Sequence, residues 1–178
     1  PAEHKIIPLP AVHLVLICMI WPIFGCSSAP EADPITLKEF SGERAYEDIA
    51  YQLSLGPRTP GSAGHHQILL WLVEELEEAG WNVKLQVLEV QGSLVKNVIA
   101  SRGQEGEWIL LGAHYDTRIF ADQDPDPAKQ KQPVPGANDG ASGVAVLLEL
   151  ARTLPEELPK PVKLVFFDAE DNGGIGEY

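Results

Sequence analysis

The sequence has little that would support a thiol-based or a nucleic-acid-binding function. Only two cysteines occur in 178 residues, Cys18 and Cys26, and both precede the first predicted folded element. The rest of the chain therefore offers no disulfide and no cysteine nucleophile or metal ligand. Lysine and arginine number 13 against 26 aspartates and glutamates, giving a formal net charge of −13. Since no basic stripe is present to bind phosphates, we exclude a nucleic-acid partner.

Several common cofactor and catalytic motifs are also missing. No Gly-x-Gly-x-x-Gly follows a predicted strand, and no Walker motif is present, which excludes the usual nucleotide-binding loops. The segment Gly140–Gly143 approaches a nucleophile elbow, but Val144 stands where that motif needs glycine. An acidic stretch in the long loop 118–136 is no calcium loop, because Pro127 and Pro133 replace its turn glycine and its bidentate glutamate. We interpret this stretch as a solvated acidic lid.

The N-terminal segment carries a short apolar run, Ala11–Phe24, of 14 residues. A bilayer span needs about 20 residues, whereas this length suits a secretory signal. Residues 23–26 resemble a bacterial lipobox in which Cys26 is acylated. We predict a signal peptide with lipobox over residues 1–26, or alternatively an uncleaved anchor, followed by a flexible tether over 27–36. Both alternatives place the protein outside the cytoplasm, either attached to the membrane or as a secreted or periplasmic protein.

Periodicity in the remaining chain, residues 37–178, predicts an α/β domain that contains both helices and strands. Helices are predicted over 37–55, through Leu69–Leu76 and over 144–154; strands are predicted over 83–90, 95–100, 108–111 and 162–167. The strand 108–111 is continuously apolar, which predicts a central strand covered on both faces. With the helix 144–154 and the strand 162–167 it forms a right-handed crossover, whose two strands run parallel.

Ionisable side chains follow both of these parallel strands, at positions that the topology brings together. His114 and Asp116 follow the first strand, Asp139 precedes the crossover helix, and Glu170 and Asp171 follow the second strand. Parallel strands end at the same edge of a sheet, where open α/β sheets carry their sites. The sequence therefore predicts that these five residues meet at one edge.

Imidazole and carboxylate ligands without thiolate favour a catalytic zinc ion over a structural one, and manganese or cobalt are alternatives. Of the adjacent acids Glu170 and Asp171, one can bind metal while the other moves protons. Asp116 could orient the imidazole of His114 through its second nitrogen.

Each of these residue types also has an ordinary structural interpretation. Histidines near element ends are more often plain polar residues, and we interpret His65 and His66 in this way. Asp139 alone would be a helix cap. An acid after a strand commonly serves only to solvate a loop. Convergence at one sheet edge is what favours the metal-site interpretation.

Four motifs carry a resemblance to a known family: LGPRTPGSAGH, GAHYDTR, PVPGANDGASGVAVLLELAR and VKLVFFDAED. In this order they resemble metallopeptidase family 28, and within it the bacterial glutaminyl-peptide cyclotransferases. The resemblance runs from Leu55 to the last residue. It implies an α/β fold with three layers, α/β/α, around a mixed, centrally parallel sheet. It also implies zinc as cofactor and the N-termini of peptides or proteins as substrates.

The resemblance assigns roles to individual residues. Asp139 and Asp171 match metal ligands of the family, and Glu170 matches the general acid/base. His114 matches a residue that binds a second metal in two-zinc aminopeptidases but stays unligated in single-zinc cyclases. The implied cofactor is therefore one zinc ion, or two.

Three functions stay open at this stage. The first is glutaminyl cyclisation with release of ammonia, which the Glu-Asp order favours. The alternatives are a zinc aminopeptidase and a non-catalytic binding module on the same fold. Both enzymatic branches need a further histidine ligand downstream of Asp171, and residues 172–178 contain none. The chain also begins with Pro1 rather than methionine. We therefore expect a fragment that is cut at both ends, and that is inactive on its own because its metal shell is incomplete towards the C-terminus.

Overall fold

The computed structural model describes residues 38–90 and 92–171, and within them it shows three helices and four strands. The elements are α1 Gly42–Ser54, α2 Ala63–Glu78, β1 Asn82–Val90, β2 Ser93–Arg102, β3 Ile109–His114, α3 Ala141–Thr153 and β4 Val162–Phe167. The predicted signal segment 1–26 with Cys26, and the tether 27–36, lie outside the described residues. No helix of the described part is long and apolar enough to cross a membrane.

The four described strands form one mixed sheet in the order β1-β2-β4-β3. β1 and β2 form an antiparallel hairpin, and β2 pairs antiparallel with β4. β3 and β4 are parallel, with His114 opposite Phe167 at their carboxyl ends. The mixed α/β sheet and its parallel crossover pair are as predicted, and the two strands deliver their following residues to the same edge.

One face of the sheet carries the core. By register, Val98, Ala100, Leu164 and Phe166 share this face, and all are buried against α2 and α3. Leu72 of α2 and Leu148 of α3 complete the cluster. Burying side chains of this size stabilises the fold by about 1.5–3 kcal/mol each. This packing fixes α3, and therefore the loop before it, over the β3–β4 pair.

The strand β3 lies at the edge of the described sheet rather than at its centre. Ile109 and Leu110 are exposed, although their continuous apolar pattern predicted burial on both faces. Within residues 38–90 and 92–171 the helices that contact the sheet do so on the core face, so this stretch shows two of the three expected layers.

Helix α1 begins later than predicted and packs through a polar face. Ser41 caps it by accepting a hydrogen bond from the amide of Arg44, so the helix starts at Gly42 and not at residue 37. Phe40, which the predicted helix 37–55 included, lies before the helix and is exposed. The buried side chains are instead Ala45, Asp48 and Gln52, which face α3.

Ion pairs to α3 compensate this polar face of α1. Arg152 donates to Asp48 at 2.6 Å, and Arg44 donates to Glu149 at 2.7 Å and 2.6 Å. Burial raises the pKa of Asp48, although pairing with Arg152 opposes that rise. A buried carboxylate of this kind is retained only with a partner.

Candidate functional site

The carboxyl end of β3 places His114 among three carboxylates. Its Nε2 lies 2.9 Å from Oδ1 of Asp139, and its Nδ1 lies 3.5 Å from Oδ1 of Asp116 and 4.0 Å from Oε2 of Glu170. The side chains of Asp139 and Glu170 are 63% and 62% exposed, whereas Asp116 is fully buried. The structure thus brings four of the five predicted site residues into one cluster open to solvent.

Two glycines in the turn before α3 set the position of Asp139. Gly136 has φ +66°, and a Cβ there would lie 2.4 Å from Cγ2 of Thr117. Gly140 has φ +90° and approaches both the ring and the backbone of His114. Only glycine adopts such conformations without strain at such close approach. The Gly-rich turn therefore brings Asp139 against the histidine.

Arg58 joins the segments around this turn, and the sequence reasoning missed it. Its side chain is fully buried and donates to the carbonyl oxygens of Gln52, Tyr115, Pro135 and Gly136. Burial lowers the pKa of Arg58, an effect that the charge of Asp116 opposes. The sequence places Arg58 in the GPRTPG loop, where an arginine is usually solvated. It therefore gives no indication that this side chain is buried.

Asp116 supports the loop that carries Glu170 and Asp171. Its Oδ1 accepts a hydrogen bond from the Glu170 amide, and its Oδ2 accepts one from the Asp171 amide, both at 3.1 Å. The predicted contact with the imidazole of His114 is longer, at 3.5 Å. The carboxylate thus acts mainly on backbone geometry, linking the end of β3 to the residues after β4.

Asp171 pairs with an arginine rather than joining the His114 cluster. Nε of Arg118 donates to its Oδ1 at 2.8 Å, and Nη1 of the same arginine donates to Asp122 at 3.2 Å. Asp171, Arg118 and Asp139 nevertheless line one cavity of about 270 Å³. Asp139 and Asp171, the two acids that resemble metal ligands, therefore face a shared space.

A second histidine near this edge has a structural role that the sequence did not reveal. His65 is buried rather than a surface polar residue, and its Nε2 lies 2.6 Å from Oδ1 of Asp168. Asp168 also accepts a hydrogen bond from the Lys96 amide at 2.8 Å. The ring of His65 stacks on Tyr115. His66, in contrast, is exposed as expected.

The carboxylates around His114 alter its protonation. Contact with Asp116, followed by the hydrogen bond to Asp139, raises the pKa of His114 to about 9, although burial opposes the rise. The imidazole is therefore protonated at neutral pH as the structure stands. A metal ion that binds a ring nitrogen of His114 would have to displace the proton on that nitrogen.

The donor types present fit a catalytic zinc ion, but they do not form a complete cage. Imidazole nitrogen and carboxylate oxygens are zinc ligands, and Nδ1 of His114 is buried without a hydrogen-bond partner. Within residues 38–90 and 92–171, no three His, Cys, Asp or Glu side chains converge closely enough to hold a metal ion. The described residues thus supply part of a metal site.

Comparison with known proteins agrees with this geometry. Residues 97–176 match the family model described as peptidase family M28. Glutaminyl cyclase from Porphyromonas gingivalis superposes with a TM-score of 0.72 at 41% identity, over 78% of this chain and 51% of that one. A Zn-dependent exopeptidase from Parabacteroides distasonis gives a TM-score of 0.73 at 35% identity, over 80% and 52%.

A sequence relative gives the same picture of partial coverage. The uncharacterized protein YfbL of Escherichia coli is 33% identical over 142 residues, which are 78% of this chain and 42% of YfbL. The chain thus spans about half the length, or less, of the proteins it matches. Together with the four motifs and the mixed sheet, these matches show that the chain belongs to peptidase family M28.

Proposed function

We propose that the protein is a zinc-dependent glutaminyl-peptide cyclotransferase, which converts the N-terminal glutamine of peptides into pyroglutamate. The observation that carries the proposal is the exposed carboxylate of Glu170 beside the His114–Asp139 pair, together with the cavity that Asp139 and Asp171 share. The similarity to a bacterial glutaminyl cyclase supports it. The order Glu170-Asp171 also favours this branch.

In this mechanism Glu170 is the proton carrier. Asp139 and Asp171, with His114 next to Asp139, would hold the zinc ion, which when bound would polarise the carbonyl under attack. The α-amine of the substrate attacks the γ-carboxamide carbon, and Glu170 takes up the proton that the amine loses. Glu170 then gives a proton to the leaving nitrogen, so that ammonia departs as the ring C–N bond replaces the C–N bond of the amide.

Asp116 would keep Glu170 in place during this exchange. Its hydrogen bonds to the amides of Glu170 and Asp171 hold both residues at the end of β4. The Glu170 side chain itself is mostly exposed and accessible to a substrate. The buried carboxylate of Asp116 therefore positions Glu170, and the exposed carboxylate of Glu170 exchanges protons with the substrate.

A zinc aminopeptidase is the second candidate, because the exopeptidase superposes as well as the cyclase does. In that reaction Glu170 would remove a proton from the attacking water instead of from the α-amine. The two activities leave different products. Full-length protein incubated with a Gln-initiated and a Leu-initiated peptide should release ammonia from the first without shortening either chain. Release of free leucine without ammonia would favour the aminopeptidase.

Replacing Glu170 by glutamine tests its role. Glu170→Gln removes the proton carrier but leaves Asp139 and Asp171 intact, so turnover should fall by about 10²–10⁴-fold while zinc content stays unchanged. Zinc is measured by elemental analysis and turnover by ammonia release. Near-normal turnover by this variant would show that Glu170 is not the acid/base. A full-length protein that binds no zinc would instead favour a binding module.

We further propose that the protein is exported and attached to the membrane through Cys26. The support is the apolar run Ala11–Phe24 followed by the lipobox-like residues 23–26. Metabolic labelling with a fatty acid should label the full-length protein when it is expressed in a bacterium, and Cys26→Ser should abolish the label. Labelling that survives in Cys26→Ser would contradict acylation at this residue.

A further inference from the structure

Arg118 contacts two acids from different segments of the chain, one in the long loop 118–136 and one after the strand β4. Its Nε donates to Oδ1 of Asp171 at 2.8 Å, and its Nη1 donates to Oδ1 of Asp122 at 3.2 Å. The side chain of Asp171 is 7% exposed and that of Asp122 is 30% exposed. Hydrogen bonds between guanidinium and carboxylate are stronger than neutral ones and have a defined direction. One arginine therefore fixes a proposed metal ligand and a loop acid together.

We propose that Arg118 is a positioning residue for metal binding: it holds Asp171 by one oxygen, so that the other is presented to the cation. The proposal rests on the zinc site of the proposed function. Asp171 is held at two points: its backbone amide donates to Asp116, and its side-chain Oδ1 accepts a hydrogen bond from Arg118. A ligand oriented in this way loses less freedom when a metal binds. Partners of this kind are typically worth about 10–100-fold in metal affinity.

The same arginine also fixes the β3–α3 loop, residues 115–140. Its carbonyl oxygen accepts a hydrogen bond from the Val134 amide at 3.0 Å, and the Ala121 amide donates to the carbonyl of Gln132 at 2.8 Å. These two bonds close the acidic part of the loop on itself. Because Asp122 lies inside the closed part, the Arg118 side chain connects this loop to the proposed ligand Asp171.

A purely electrostatic effect of Arg118 would act in the opposite direction. A guanidinium close to a divalent cation repels it, so removing the positive charge would tighten zinc binding. Loss of orientation weakens binding instead. The sign of the change in zinc affinity therefore separates a positioning residue from a neighbouring charge.

The test compares three variants of the full-length protein with wild type. Arg118→Gln removes both ion pairs and the charge. Arg118→Lys keeps the charge but replaces the planar fork of guanidinium donors, which bonds the two acids through two nitrogens, by a single ammonium nitrogen. Asp122→Asn is the matched control, because it weakens the loop contact and leaves the bond to Asp171 intact. Zinc affinity is measured by competition with a chromophoric chelator, and melting temperature is measured in excess chelator.

We expect Arg118→Gln to bind zinc about 10-fold or more weakly. Its melting temperature in chelator should be lowered, because the buried Asp171 loses its partner, but should stay above the temperature of the titration. Arg118→Lys should be intermediate, and Asp122→Asn should bind zinc as wild type does. Hydrogen exchange at the amides of Ala121 and Val134 should accelerate in Arg118→Gln. This last readout reports the loop and does not depend on activity.

Unchanged or tighter zinc binding by Arg118→Gln would overturn the inference while leaving the proposed zinc enzyme standing. Wild-type protein that binds no zinc would overturn the inference together with the proposed function. The two failures are therefore distinguishable in one titration series.

Discussion

At the scale of single residues, Asp168 stands out because its side chain is almost completely buried and fully paired. His65 lies 2.6 Å from one of its oxygens, and the Lys96 amide donates to the other. Burial opposes ionisation, but the contacts to His65 and to the Lys96 amide outweigh it and lower the pKa of Asp168. The carboxylate is thus a stabilising anion two residues before Glu170.

Asp168→Asn should therefore destabilise the fold in a pH-dependent way. A carboxyl whose folded pKa is depressed stabilises the protein above its ordinary value, about pH 4, and loses that contribution as pH falls further. We expect the variant to be less stable than wild type by about 1.5–3 kcal/mol at pH 7. The difference should shrink below about pH 4. Urea unfolding at a series of pH values measures it, and a difference independent of pH would contradict the ionic role.

The positions of residues could be predicted from the sequence where strand topology determined them, and could not where burial determined them. His114, Asp116, Asp139 and Glu170 were placed together by strand topology alone. The pairing of His65 with Asp168 spans 103 positions, and no local pattern distinguishes such a histidine from a solvated one. The same holds for Arg58, whose partners are carbonyl oxygens that any sequence provides.

At the scale of elements, the start of α2 is packed against the preceding loop at a glycine. A Cβ on Gly64 would lie 2.7 Å from the carbonyl oxygen of Leu55 and 2.9 Å from that of Pro57. Both are backbone atoms and cannot rotate away. The helix can therefore approach the loop closely only because this position has no side chain.

Gly64→Ala should destabilise the protein although alanine is the better helix former. Alanine in place of glycine favours a helix by about 1 kcal/mol, but overpacking of this kind costs about 1–3 kcal/mol. We expect a net loss of stability in thermal or urea unfolding.

Gly42→Ala is the matched control for this substitution. Gly42 is also in the first turn of its helix, and a Cβ there meets nothing within 4 Å. This variant should be neutral or slightly stabilised. Equal effects of the two substitutions would show that the close approach at Gly64 is unimportant.

Elements with strong apolar patterns were predicted well, and α1 and β3 show where the pattern misleads. The helix α3 and the strand β4 are buried against each other, so their apolar runs report their true environment. The buried face of α1 can be polar because ion pairs that involve Arg152 and Arg44 compensate the cost of burying charged side chains between α1 and α3. The apolar run of β3 correctly gave a strand, while its exposure depends on neighbours that a local pattern does not contain.

At the scale of the whole molecule, zinc should stabilise the native state if the proposed site is real. A ligand that binds only the folded protein adds about 2.7 kcal/mol at a concentration 100 times its dissociation constant. The melting temperature of full-length protein should therefore rise with added zinc and fall with a chelator. Differential scanning calorimetry measures the shift.

Asp139→Ala is the control for zinc stabilisation. The side chain of Asp139 is largely exposed, so its removal should have little effect on the fold without zinc. The variant should lose most of the zinc-dependent shift. A shift of wild-type size in Asp139→Ala would place the zinc elsewhere.

The docking of α1 onto α3 has a consequence for how the chain is made. Arg44 bonds Glu149, 105 positions later in the sequence. At about 5–20 residues per second, a ribosome needs roughly 5–20 s to synthesise the intervening chain. Throughout that interval the docking face of α1 is without its partner. Because Asp48 and Gln52 make this face polar, the segment can remain solvated during synthesis. It then exposes no hydrophobic surface to chaperones or to other unfinished chains.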